Sequence, residues 1–245
     1  MRKQSMALDS TQKLQQLTES LVSPAGLRFR ERMWAERLFK RLIDVFASVL
    51  VVVVGFPFFL AIALLIKLTS KGPVFFSQQR IGERGDVFTL YKFRTMRQDA
   101  DDSIHRDFTR SFIEGRMSNS SLDEKAPSIY KLADDPRVTS VGNFLRKTSL
   151  DELPQFINIL RGEMTIVGPR PPLQYELEYY EEWHKFRLKV KPGLTGLWQV
   201  SGRSSVPFNE MVKLDLYYIE HWSLLLDLKI MLRTIPVMLF GSGGY

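Results

Sequence analysis

The stretch TSLDELPQ, residues 148 to 155, sets two carboxylates side by side, Asp151 and Glu152. Arg146 and Lys147 stand immediately before them, and TIVGPRPP follows with Arg170 between Pro169 and Pro171. Further on, KVKPGLTGLWQVSGR brings Lys189, Lys191 and Arg203 among glycines and a proline. An aspartate can attack phosphorus and carry it as an acyl phosphate. Because that attack brings anions together, it calls for cations: arginines, which grip phosphate through two donors, and a hard divalent ion such as Mg2+, which favours carboxylate and phosphate oxygens. Prolines on both sides leave Arg170 little backbone freedom, which suits a pre-placed guanidinium. A purely structural reading competes. Ser149 three residues ahead of Glu152 fits a capping box, and acidic residues in a first helical turn complement the helix dipole. The KPGLTG spacing is neither a P-loop nor a dinucleotide fingerprint, and alone it is a weak phosphate cradle whose glycines would let a ligand approach the backbone.

Elements must bring these groups together. After Gly72-Pro73, the runs VFFSQQRI and DVFTLYKFRTM flank Gly82-Glu83-Arg84-Gly85, which predicts a β-hairpin. In its second strand Phe88, Leu90, Lys92 and Arg94 share one face, so an apolar row ends in two cations. The alternative is a solvated edge protected by its charges. Residues 98–135 are polar and read as a loop with short helices. Their aspartates lack the spacing of a calcium loop, and His105, His184 and His221 stand too far apart to suggest a metal site, so they are taken as surface or packing residues. From 208 to 240, Met211, Leu214, Tyr218, Trp222, Leu225, Leu228 and Leu232 recur at helical spacing. These helices are expected to be core, or to lie partly in a headgroup layer.

The run from Val45 to Ile66 contains no charge and at about 1.5 Å per residue is long enough to cross a bilayer core of roughly 30 Å. It starts too far along the chain for an ordinary secretory signal and has no small-residue cleavage motif, so it is expected to be retained. Arg37, Lys40 and Arg41 precede it, and Lys67, Lys71 and Arg80 follow. Basic flanks on both sides draw both ends to one face of the membrane. Pro57 removes a backbone donor near the middle and disfavours helix at Phe56. Together these features predict a re-entrant helix–break–helix bent at Pro57.

A net charge of +7 and a pI near 9.6 call for an anionic partner. The cations flank an apolar segment and no nucleic-acid motif, which points to phosphorylated ligands and membrane phospholipid, not nucleic acid. The absence of cysteine excludes disulfides, thiolate metal sites and cysteine nucleophiles.

The ordered set KRLIDV, the proline-interrupted apolar run, GPVFFSQQRIGERGDVFTLYKFRTM, LRKTSLDELPQFINILRGEMTIVGPRP, KPGLTGLWQVSGR and LDLYYIEHWSLLLDLKIM resembles the monotopic phosphoglycosyl transferases, the bacterial sugar transferase family, from about Lys40 to Tyr245. The resemblance implies transfer of a sugar-1-phosphate from a UDP-sugar to polyprenyl (undecaprenyl) phosphate with release of UMP, an early membrane step of bacterial glycoconjugate assembly. It implies Asp151 as the nucleophile that forms a phosphosugar-aspartyl intermediate, Glu152 as its partner in the dyad and in holding Mg2+, and Lys92, Arg146, Arg170 and Arg203 as holders of phosphates or nucleotide. It also implies a membrane helix bent at Pro57 and an active site on the cytoplasmic face of the inner membrane. Here Phe56 precedes that proline, where short family members carry a serine.

The expected fold is therefore α+β and mainly helical. Residues 1–37 form an extension and a basic interfacial helix, 38–71 the re-entrant hairpin, and 72–245 a cytoplasmic catalytic domain with a small β-hairpin and interfacial amphipathic helices. The rival reading is a non-enzymatic membrane-associated module that binds anionic lipid or nucleotide and gives the two carboxylates no task. The donor sugar, the glycan and the choice between monomer and homodimer are open at this stage.

Overall fold

The structure, a computed structural model, describes residues 34–97, 103–114, 137–201 and 206–240. Arg203, the chain before Trp34 and most of the 98–135 stretch lie outside the described residues. Among the described residues the chain is mainly helical, with two small two-stranded sheets.

Helix α1, Trp34–Thr69, joins the basic segment and the apolar run in one element, and Pro57 sits inside it. The expected interruption of the helix at this proline is absent. A proline deletes one intrahelical hydrogen bond, here the one to the Val53 carbonyl, and a helix this long tolerates that loss. The middle of α1 shows apolar side chains on all sides, with Val49, Leu50, Val53, Val54, Phe56 and Phe58 all exposed. Its buried residues sit toward the two ends: Asp44 and Ser48, then Ile62 and Ile66.

Both ends attach to the same folded domain. Near the start, Lys40 donates to the Val167 carbonyl at 3.0 Å and pairs with Asp227 at 2.5 Å. Arg41 donates to the Ile159 and Leu160 carbonyls, and Asp44 accepts from the Thr165 hydroxyl and the Ile166 N–H at 2.8 and 3.0 Å. Near the end, Ile62 and Ile66 pack with Phe93 and Leu145, and Arg94 donates to the Ser70 carbonyl and hydroxyl.

The predicted hairpin is present. Strand β1, Phe75–Ile81, pairs antiparallel with β2, Val87–Phe93, in a register that sets Arg80 opposite Phe88 and Phe76 opposite Lys92. The tip turns through two left-handed residues, Arg84 and Gly85. The solvated-edge alternative fails, since Phe88, Leu90 and Arg94 are buried.

Helix α2 spans Ser103–Ile113. Helix α3, Ser140–Lys147, is capped by Thr139, whose hydroxyl accepts from the Gly142 N–H at 2.9 Å. A Cβ at Gly142 would fall 2.0 Å from the Thr95 carbonyl oxygen, so α3 meets the end of the hairpin backbone to backbone. Helix α4 covers Gln155–Arg161 and ends at left-handed Gly162. Strands β3, Thr165–Val167, and β4, Gly193–Thr195, run parallel.

Helices α5, Leu197–Ser201, and α6, Phe208–Glu220, build the main core, where Trp198, Phe208, Met211, Leu216, Tyr218 and Trp222 are buried together. Helix α7, Leu224–Phe240, follows them. Helix α6 is core, whereas α7 buries Ile230 and leaves Leu225, Leu228, Leu232 and Ile235 exposed. His184 is a packing residue, as expected: its Nδ1 accepts from the Glu181 N–H, and its ring lies against Trp183 and Phe208.

Candidate active site

Asp151 and Glu152 do not open an α-helix. They lie in a single 3-10 turn, Leu150–Glu152, and α4 begins beyond Pro154. Proline suits that place because the first N–H groups of a helix have no intrahelical partner to lose. The capping-box expectation fails with it. Ser149 is left-handed, with φ of 55°, its side chain makes no cap, and the Glu152 carboxylate turns to Lys92. A non-glycine residue in that region is strained, and here it reverses the chain between α3 and the turn that carries the carboxylates.

The cleft forms where this turn meets the β1–β2 sheet. Lys92 Nζ lies 2.7 Å from Glu152 Oε1. Arg80, Lys92, Glu152, Gln155, Arg170 and Gln199 line a small cleft of about 30 Å³, with Gly193 and Leu194 of β4 also in its wall. Asp151, only 8% exposed, is the next residue back from Glu152 in the same turn. The structure thus brings Lys92, Glu152 and Arg170 around one cleft. Arg146 Nε donates to the Thr95 hydroxyl at 3.0 Å, and Arg146 is not among the lining residues.

Arg170 rides on a strap fixed from both sides. The Pro169 carbonyl accepts from the Gly193 N–H at 2.8 Å, the Pro171 carbonyl from Arg80 Nη1 at 3.0 Å and the Pro172 carbonyl from the Ile81 N–H at 3.0 Å. The prolines have no N–H to satisfy, and their carbonyls tie the strap to β4 and β1.

The KPGLTG glycines permit close backbone contact. A Cβ on Gly193 would fall 2.1 Å from the Gly168 nitrogen, and one on Gly196 would fall 2.5 Å from the Gly168 carbonyl oxygen. They let two backbone segments touch, and Gly193 also stands in the cleft wall. Lys189 and Lys191 face a separate cavity at the root of α1.

Arg80 is the cleft residue that the reading of the sequence missed. It is buried, bonded to Gln78 and to the Pro171 carbonyl. Burial, and then the positive charge of Arg170, lower its pKa to about 10, so it remains a cation near neutrality. The hairpin register was its signal: a residue opposite Phe88 shares the face of Phe88, Leu90 and Lys92. Gln155 and Gln199 carried no such signal.

Among the described residues no group of three or more histidine, aspartate or glutamate side chains gathers at a point. Mg2+ is usually held by one or two carboxylates with water and substrate phosphates completing its shell. The adjacent Asp151 and Glu152 fit that donor chemistry, with Lys92 competing for one Glu152 oxygen.

The family model for the bacterial sugar transferases matches residues 35–241. The chain is 45% identical over 206 residues to the exopolysaccharide production protein ExoY of Sinorhizobium fredii, covering 84% of this chain and 88% of that protein. It is 38% identical over 213 residues to the undecaprenyl-phosphate galactose phosphotransferase of Salmonella typhimurium, covering 86% of this chain and 42% of that protein. It is also 40% identical over 207 residues to the UDP-glucose:undecaprenyl-phosphate glucose-1-phosphate transferase of Escherichia coli, covering 81% of this chain and 40% of that protein. The last two relatives are more than twice as long as the region they share with this chain. With a match spanning α1, the hairpin, the carboxylate turn and the arginine strap, the chain belongs to the bacterial sugar transferase family.

Proposed function

We propose that this chain transfers a sugar-1-phosphate from a UDP-sugar to a polyprenyl phosphate such as undecaprenyl phosphate, releasing UMP, at the cytoplasmic face of the bacterial inner membrane. The observation that carries the reading is the convergence of Arg80, Lys92 and Arg170 on a cleft walled by Glu152, with Asp151 next to it in the same turn. In the first step an Asp151 carboxylate oxygen attacks the sugar-linked phosphorus. The bond from that phosphorus to the bridging oxygen breaks, and UMP leaves with the electron pair. In the second step an oxygen of the lipid phosphate attacks the same phosphorus, the bond to Asp151 breaks, and the polyprenyl-diphosphate sugar forms. Mg2+, held by Asp151 and Glu152, would supply neutralising charge to the diphosphate.

The chain's own residues supply the rest. Arg170 and Arg80 offer paired donors for phosphate oxygens, and Lys92 holds Glu152 in place beside the nucleophile. Arg203 and Arg146 keep the roles of phosphate or nucleotide holders that the family resemblance implies. The names of the relatives from Salmonella typhimurium and Escherichia coli support a sugar phosphate as cargo and an undecaprenyl phosphate as acceptor.

The attachment of both ends of α1 to one domain supports entry and exit on a single membrane face. A helix that crossed would leave Asp44 and Ser70 on opposite faces, whereas both bond to one domain, and a kink at Pro57 within the continuous helix would keep them on one face. Tags at Met1 and Tyr245 should both be digested by protease added from the cytoplasmic side, and protection of one alone would overturn this topology.

The deciding assay is UMP release from a panel of UDP-sugars with Mg2+, with and without undecaprenyl phosphate, for the wild type and Asp151→Asn. Lipid-dependent release that is lost in the variant supports the transferase. Binding without release from any donor returns the reading to a membrane-associated binding module, and release of sugar phosphate without lipid points to hydrolysis.

A further inference from the structure

A second cavity is larger than the dyad cleft. It lies at the root of α1, with a volume of about 650 Å³, within the range of small-molecule sites. Arg37, Lys40 and Arg41 of α1, Arg84 of the hairpin tip, and Lys189 and Lys191 face it, against the two carboxylates of Asp44 and Glu83. Some of these charges are already engaged. Lys40 pairs with Asp227, Arg41 serves the carbonyls at the end of α4, and Asp44 serves β3. Arg84 and Lys191 have no ion pair or hydrogen bond among the described residues.

Two further details point to an anion. Arg41 Nη2 and Lys191 Nζ lie 3.6 and 3.5 Å from the place a Cβ on Gly162 would occupy, so two cations converge on one point that no side chain fills. Two cations beside one point raise the positive potential there, which an anion relieves. Arg84 is also presented from a left-handed residue, φ 61°, at the hairpin tip, a backbone that a non-glycine residue adopts at a cost.

We propose that this cavity binds the phosphate headgroup of an acidic membrane lipid, at a site separate from the dyad. The source follows from position and lining. Arg37, Lys40 and Arg41 come immediately before the uncharged run that begins at Val45, and Phe39, Leu42 and Phe46 beside them are exposed. Leu38, Val190 and Ile219 add apolar wall, and the volume far exceeds one phosphate, as an amphipathic headgroup with its glycerol requires. The occupant would brace the back of the active site. Lys191 leads through Pro192 to Gly193 in the dyad cleft, and Arg84 joins the two strands that carry Arg80 and Lys92. The inference rests on the proposed membrane placement of α1.

The full chain in detergent micelles is mixed with phosphatidylglycerol or phosphatidylcholine of the same acyl chains, and the retained lipid is counted by native mass spectrometry. The wild type is expected to retain phosphatidylglycerol about tenfold over phosphatidylcholine. Arg84→Gln/Lys191→Gln is expected to lose that preference, and Arg84→Lys/Lys191→Arg to keep it. Equal retention of the two lipids by the wild type, or an undiminished preference in the neutral double variant, overturns the site. Displacement of phosphatidylglycerol by an equal concentration of inorganic phosphate assigns the cavity to a free anion and overturns the lipid. Alkaline extraction of native membranes tests the placement of α1 separately: a chain that washes off refutes that placement whatever the lipid preference.

Discussion

Lys92 and Glu152, sixty residues apart in sequence, meet at 2.7 Å and join the β-hairpin to the turn that carries Asp151. Their side chains are 26% and 33% exposed, and partly solvated pairs of this kind contribute only about 0.2–1 kcal/mol to stability. The contact therefore matters through position. Lys92→Met is expected to reduce UMP release by about a hundredfold or more, while thermal unfolding in detergent shifts little. A variant that unfolds early, or one that turns over normally, would contradict this assignment.

Arg80 links two functions, since its guanidinium lines the cleft and also holds the Pro171 carbonyl. Arg80→Lys keeps the charge but not the planar fork. Its expected result is a rise of about tenfold in the KM for the UDP-sugar, with kcat changed less. Arg80→Met should in addition destabilise the strap by about 1–3 kcal/mol, because a buried carbonyl loses its donor. An unchanged KM in Arg80→Lys would remove Arg80 from the substrate-binding set.

Asp44 is a buried carboxylate with two donors from β3. Asp44→Ala leaves those donors unsatisfied and should cost about 1–3 kcal/mol. Asp44→Asn, which keeps one acceptor, should cost less. The comparison is read by thermal unfolding in detergent, and equal losses from the two substitutions would mean that the ion, not the hydrogen bonding, holds this end of α1.

Glycines give a test of backbone contact. Gly193→Ala places a methyl 2.1 Å from the Gly168 nitrogen, and the expected loss is about 4 kcal/mol or failure to fold. Gly85→Ala has nothing within 4 Å to strike, and only its left-handed backbone should count, about 1–2 kcal/mol. Similar effects at the two positions would refute the close crossing of the strap and β4.

Local structure was legible in the sequence wherever one segment determines it. The hairpin followed from its turn and alternation, and the restrained Arg170 from its prolines. What escaped depends on distant partners. Nothing near Ser149 announces that Glu152 prefers Lys92 to a helix cap. Lys191 reads as a phosphate residue beside Gly193, yet the chain turns between them and sends the two to different cavities. At Pro57 the local rule was sound and its consequence smaller than expected: one hydrogen bond is lost while the helix continues.

The attachment of α1 also has a bearing on biosynthesis. Lys40 precedes its partner Asp227 by 187 positions, so at roughly 5–20 residues per second the ribosome needs on the order of ten to forty seconds to supply that partner. Asp44 waits less time for Thr165 and Ile166, 121 and 122 positions later. Through that interval the apolar helix exists without the domain that will hold both its ends. Its apolar surface must be shielded before that domain exists, and the domain then folds onto a helix already made.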